Sequence, residues 1–162
     1  AMMTPNHMKV LQQVRQQLNQ GNLSVVEGLN AICETLNKKL EAYDWVGFYF
    51  ADFKSKMLHL KAYSGAPTEH TSIPFGKGIC GQVALSNKNF MVPDVTAQDN
   101  YIACSIDVRS ELVVPLFLEG KNIGQIDIDS KALNPFTKED ETFLTERCSL
   151  VSSTYGKSLK QL

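Results

Sequence analysis

No apolar run in this chain approaches the roughly 20 residues that a bilayer-spanning helix needs. No cluster of basic residues stands out either. With 16 basic and 17 acidic residues the net charge is −1, which argues against nucleic acid or an anionic membrane as the main partner. No charged-then-apolar leader opens the chain, so a cytoplasmic protein is expected. Cysteines are few, four in 162 residues, and histidines fewer, three. A chain of this length has no need of disulfide staples, and in a reducing compartment a cysteine is either a small buried hydrophobe or a working thiol. No internal repeat, linker or composition break divides the sequence. Hydrophobic residues make up 43%. One domain over residues 1–162, with a real core, is therefore expected.

Thr4-Pro5 reads as a helix start, with Leu11, Val14 and Leu18 on one face and Gly21 as the stop. Ser24 and Glu27 form a capping-box pattern for a second helix, striped by Leu29, Ile32, Cys33, Leu36 and Leu40. Trp45 to Phe50 and Met57 to Tyr63 read as strands of a hairpin turning at Lys54-Ser55-Lys56. Residues 64–78, rich in Gly, Pro, Thr and Ser, read as a long functional loop. A short helix follows from Ile79 to Leu85, then a short strand over Phe90-Met91-Val92. A loop from Asp94 to about Asp107 leads to strands Glu111–Phe117 and Lys121–Asp129. A last helix starts at Thr137, striped by Leu144, Cys148, Val151, Tyr155 and Leu159. The order predicts an α+β fold: a mainly antiparallel sheet, terminal helices on one face, and site-forming loops on the other.

Alternation along a strand puts Gln125, Asp127 and Asp129 on one face and Ile126 and Ile128 on the other. The connection Leu118-Glu119-Gly120 decides where Glu111 falls. A three-residue loop with glycine in the left-handed position is expected. It pairs Glu111 with Asp127, leaves Asp129 on the diagonal roughly 7–8 Å away, and sets Arg109 opposite Asp129. Three clustered carboxyls raise at least one pKa and so create a general acid. The alternative is a solvated acidic face paired with Arg109.

The cysteines divide into two kinds. Cys33 and Cys148 sit on apolar helical stripes and read as packing. Cys80, in Gly78-Ile79-Cys80-Gly81, and Cys104, in Ile102-Ala103-Cys104, lie in or beside loops. Cys80 is near a helix N-terminus, where a thiolate is stabilised. The two are an attacking and a resolving thiol, or else two unrelated buried thiols. Their 23 intervening residues match no metal pattern, and no histidine accompanies them, so no metal site is expected.

Trp45-Val46-Gly47-Phe48-Tyr49, Ile73-Pro74-Phe75-Gly76-Lys77-Gly78-Ile79-Cys80-Gly81 and Val92-Pro93-Asp94-Val95 occur in this order. Ile102-Ala103-Cys104, Arg109-Ser110-Glu111-Leu112-Val113-Val114-Pro115-Leu116 and Gly124-Gln125-Ile126-Asp127-Ile128-Asp129-Ser130 follow. As an ordered set covering about residues 45–140, they resemble the free methionine-(R)-sulfoxide reductases, small cytoplasmic enzymes built on a GAF domain. The resemblance implies that Cys104 is the catalytic nucleophile and Cys80 its disulfide partner. It implies that Glu111, Asp127 and Asp129 surround the substrate's polar groups. Trp45 and Tyr49 would hold the methyl group, with Ile102 and Ala103 as further substrate contacts. It implies thioredoxin or a similar dithiol as reductant, no cofactor, and a homodimer as the family-level expectation. A third family cysteine, just before the Ile-Pro-Phe-Gly segment, is replaced here by Glu69 or His70. The competing reading is a non-catalytic GAF module that senses a small ligand or redox state.

Overall fold

Local signals set most of the elements. In the computed structural model, which describes residues 3–19, 21–98 and 107–162, helix α1 runs Pro5–Asn19 and α2 Val25–Lys39. The Ser24–Glu27 capping box of α2 is made in both directions, at 3.0 and 3.1 Å. Strands β1 (Trp45–Asp52) and β2 (Met57–Ser64) form the expected hairpin. The region expected to be one long loop contains a third strand, β3 (Ser72–Pro74), which pairs with β2 through Leu58 and Ile73. Helix α3 (Gly78–Ser86), β4 (Phe90–Val92), β5 (Ser110–Leu118), β6 (Lys121–Ser130) and α4 (Lys138–Tyr155) complete the order, with short 3-10 turns at Val95–Ala97 and Gly156–Gln161. No helix among the described residues is long and apolar enough to cross a membrane.

Among the described residues six strands form one sheet in the order β3-β2-β1-β6-β5-β4, antiparallel at every step. Alternation gives it two different faces. Val46, Phe48, Leu112, Val114, Ile126 and Ile128 point to one side and pack with α1, α2 and α4. Each fully buried side chain of this type contributes on the order of 1.5–3 kcal/mol. Cys33 and Cys148 lie in this core, as their stripes predict. Between α1 and α4, Asp140 accepts hydrogen bonds from Tyr43 (2.6 Å) and the Thr137 N–H (2.8 Å), with His7 Nε2 3.1 Å away. The other face carries a second cluster of Trp45, Tyr49, Ile73, Ile79, Cys80 and Val113. It is roofed by α3, which packs on β5 and β6, rather than by the terminal helices. The α+β architecture expected from the element order is the one observed.

Candidate active site

The position of the acids follows from one turn and one bulge. Glu119 and Gly120 both have positive φ, 53° and 80°, and Leu118 pairs directly with Lys121. This is a two-residue hairpin, whose twist suits its strands, and not the expected three-residue loop. Two residues further along, Leu116 faces Gly124 while Phe117 faces Asn122, so Ile123 is an extra residue in β6. Such a bulge changes the phase of all later pairs. The result is Glu111 opposite Asp129 and Val113 opposite Asp127. The expected pairs Glu111–Asp127 and Arg109–Asp129 are thus both corrected by two positions. A shift of two keeps the side-chain face, so the three acids still share it. Arg109 is exposed, and its backbone N–H donates to the Ser130 carbonyl at 2.8 Å.

The acids do not form a solvated face. Glu111, Asp127 and Asp129 are 3%, 0% and 1% exposed. Burial pushes the Glu111 carboxyl well above its ordinary range, and the neighbouring charges of Asp127 and Asp129 push it further. Burial also raises Asp127, against hydrogen bonds with Glu111 and Cys80 that lower it. Both shifts favour the neutral carboxyl, and Glu111 has the largest number of causes pushing that way.

Helix α3 brings Cys80 to the acids. Gly76 and Gly78 take left-handed φ of 87° and 61° and turn the chain from β3 into the helix. Gly81 lets the end of β3 approach. A Cβ there would stand 2.6 Å from the Pro74 carbonyl oxygen. The Cys80 thiol then donates to Glu111 Oε2 at 3.7 Å. From the sheet floor, buried Gln125 donates through Nε2 to the Cys80 carbonyl at 3.1 Å. Where described residues bound it, the cleft over this contact is lined by Ile73, Lys77, Gly78, Ile79, Cys80, Glu111 and Asp127, with a volume of about 10 Å³. That is space for a single water.

Trp45 and Tyr49 stand on the same face, across β1 from Asp129 and Gln125. Their rings are 6.4 Å apart. Trp45 Nε1 donates to the Ala66 carbonyl (3.0 Å) and the Tyr49 hydroxyl to the His70 carbonyl (2.9 Å), so both hold the 65–71 loop over the sheet. Gly47 lies between them, and a Cβ there would run into the Trp45 indole. Cys104, Ile102 and Ala103, singled out from the sequence, lie outside the described residues. The structure thus brings together Cys80, Glu111, Asp127, Asp129, Trp45 and Tyr49. Two contributors had no role in the sequence reading: Gln125, detectable only as a member of the acidic face, and Ile73, hidden in a loop-like composition.

Residues 22–154 match the model of a family described as the GAF domain. Protein YtsP of Bacillus subtilis is 37% identical over 126 residues, 78% of this chain and 74% of the relative. The free methionine-R-sulfoxide reductase of Escherichia coli is 33% identical over 126 residues, with the same two coverages. The X-ray structure of free methionine-R-sulfoxide reductase from Neisseria meningitidis, in complex with its substrate, superposes with a TM-score of 0.86 at 34% identity. That superposition covers 96% of this chain and 92% of the other.

Proposed function

The chain belongs to the GAF domain family, and from that membership, together with its similarity to free methionine-R-sulfoxide reductases, we propose that it reduces free methionine-R-sulfoxide to methionine. The observation that carries the reading is the buried trio of Glu111, Asp127 and Asp129 with the Cys80 thiol 3.7 Å from Glu111 Oε2. A sensor pocket has no need of three buried carboxyls against a thiol.

In the proposed cycle the Cys104 thiolate attacks the sulfoxide sulfur, and Glu111 delivers a proton to the sulfoxide oxygen. From this adduct the oxygen passes to the Cys104 sulfur: the new O–S(Cys104) bond forms, the substrate's sulfur–oxygen bond and the transient sulfur–sulfur bond break, methionine leaves, and Cys104 is left as a sulfenic acid. Sulfur is reduced by two electrons and the cysteine is oxidised by two. The Cys80 thiol then attacks the sulfenic sulfur, water departs and a Cys80–Cys104 disulfide forms. Thioredoxin or another dithiol reduces it by exchange. Trp45 and Tyr49 hold the methyl end of the substrate, and Asp127 and Asp129 receive its ammonium group.

The test is a coupled assay with thioredoxin, thioredoxin reductase and NADPH, offering each epimer of free methionine sulfoxide to the reduced protein. Turnover with the R epimer alone is expected, and abolition by Cys104→Ser. No turnover with the R epimer overturns the reading.

A further inference from the structure

A second cavity lies away from the acids. It measures about 570 Å³ and opens between the β1–β2 turn, the start of β6 and the 3-10 turn Gly156–Gln161. That volume falls in the range of small-molecule sites, roughly 300–1,000 Å³. Phe50, Ile123 and Leu159 form its floor and belong to the core on the helix-covered face of the sheet, opposite the face that carries Glu111, Asp127 and Asp129. Among the described residues its walls carry four lysines, Lys54, Lys61, Lys121 and Lys160, with His59, against one acidic side chain, Asp52.

The aspartate is already engaged. Asp52 Oδ1 accepts from the backbone N–H groups of Lys54 (3.0 Å) and Ser55 (3.4 Å), which locks the hairpin turn. Among the described residues none of the four lysines has a carboxylate within ion-pair distance. One ammonium is held in place: Lys121 Nζ stands 4.0 Å over the Phe53 ring. Phe53 itself is 45% exposed, a large apolar side chain beside the cavity. A chain of net charge −1 thus concentrates unneutralised ammonium groups around an apolar floor. That pairing suits a ligand with a charged head and an apolar body.

We propose that this cavity binds an amphipathic organic anion, with a phosphate or carboxylate head set among Lys54, Lys61, Lys121 and Lys160 and an aromatic or aliphatic body laid on Phe50, Ile123 and Leu159. The site is separate from the proposed catalytic cleft, so its binding can be measured whatever the chain's activity proves to be.

The experiment is a titration of the full chain with 1-naphthyl phosphate, followed by calorimetry and by amide shifts in a heteronuclear NMR spectrum, with inorganic phosphate and 1-naphthol as separate arms. Saturable binding is expected, with shifts centred on residues 50–54, 121–123 and 159–162. Each half-probe should bind at least about tenfold more weakly, because neither supplies both contacts. Lys61→Gln with Lys121→Gln should weaken naphthyl phosphate by about tenfold, and salt should weaken it as well. These exposed changes leave the fold intact, which circular dichroism checks. Absence of saturation at millimolar probe overturns the proposal. So does equal affinity for naphthol, binding unchanged in the double variant, or shifts centred instead on Cys80 and Glu111.

Discussion

The Cys80 thiol sits 3.7 Å from Glu111 Oε2, both groups withdrawn from solvent. A thiol and a carboxyl whose pKa is raised therefore share one buried contact, delivered by two elements far apart in sequence: the first turn of α3 and the first residues of β5. Replacing the carboxyl by an amide of the same shape tests that contact. Glu111→Gln should lower kcat for R-sulfoxide reduction by about 10²–10⁴, the usual worth of a positioned general acid. Its melting temperature should hold or rise, because one of three crowded carboxyls is gone. Steady-state kinetics beside a thermal melt reads both, and unchanged kcat would remove Glu111 from the mechanism.

The same residue sets a pH dependence of stability. Its folded pKa is raised above that of the unfolded chain, so the native state binds more protons than the unfolded state once pH exceeds the ordinary glutamate range. Its stabilising contribution is complete below that range and is lost as pH rises through the raised value. Urea midpoints of the native chain should therefore fall from pH 5 toward pH 8 relative to those of Glu111→Gln. Parallel profiles would refute this.

Asp140 works in the opposite sense. Hydrogen bonds from His7, Tyr43 and the Thr137 N–H outweigh the burial that would raise it, and its pKa is lowered. Its contribution is present above the unfolded aspartate pKa and is lost as pH falls through the folded value. Asp140→Ala should cost about 2–3 kcal/mol at neutral pH, since it removes a helix cap and leaves the Tyr43 hydroxyl unpaired. Denaturant unfolding at pH 7 and pH 3 should show the difference between variant and native chain shrinking with acid.

Gly47→Ala places a methyl where the Trp45 indole lies. The indole must move or the strand must shift, at a cost of roughly 1–3 kcal/mol. If Trp45 holds the substrate's methyl group, KM should rise more than kcat falls. A change in stability with unaltered KM would assign Trp45 to packing alone.

Cys33 and Cys148 should be inert. Both are buried, and burial drives the Cys33 thiol far up and the Cys148 thiol to about 12. Iodoacetamide at pH 7.5, read by peptide mass spectrometry on native protein, should leave both unmodified. Serine at either position should cost about 1–3 kcal/mol from burying a hydroxyl, with turnover retained.

Much of the site was legible because it rests on local rules. Stripes on α2 and α4 removed Cys33 and Cys148 from the chemistry. Alternation along β6 put Asp127 and Asp129 together. Caps at Ser24 and Thr137 began their helices where expected. β3 was not legible. Three residues in a Gly- and Pro-rich stretch carry no strand pattern of their own, and Ile73 is extended because Leu58 stands ready to pair with it.

By itself, then, the sequence determined the elements, their buried faces and which side chains are chemically able to act, since periodicity and capping are properties of neighbouring residues. Tertiary structure decided who meets whom. A two-residue turn at Glu119-Gly120 alone would have separated Glu111 from the aspartates. The bulge at Ile123 restored their common face and set Glu111 opposite Asp129. Pro74, Gly81 and Gln125 then fixed the height of Cys80 above them. Register and docking arise from packing between segments distant along the chain, and there no local pattern can specify them.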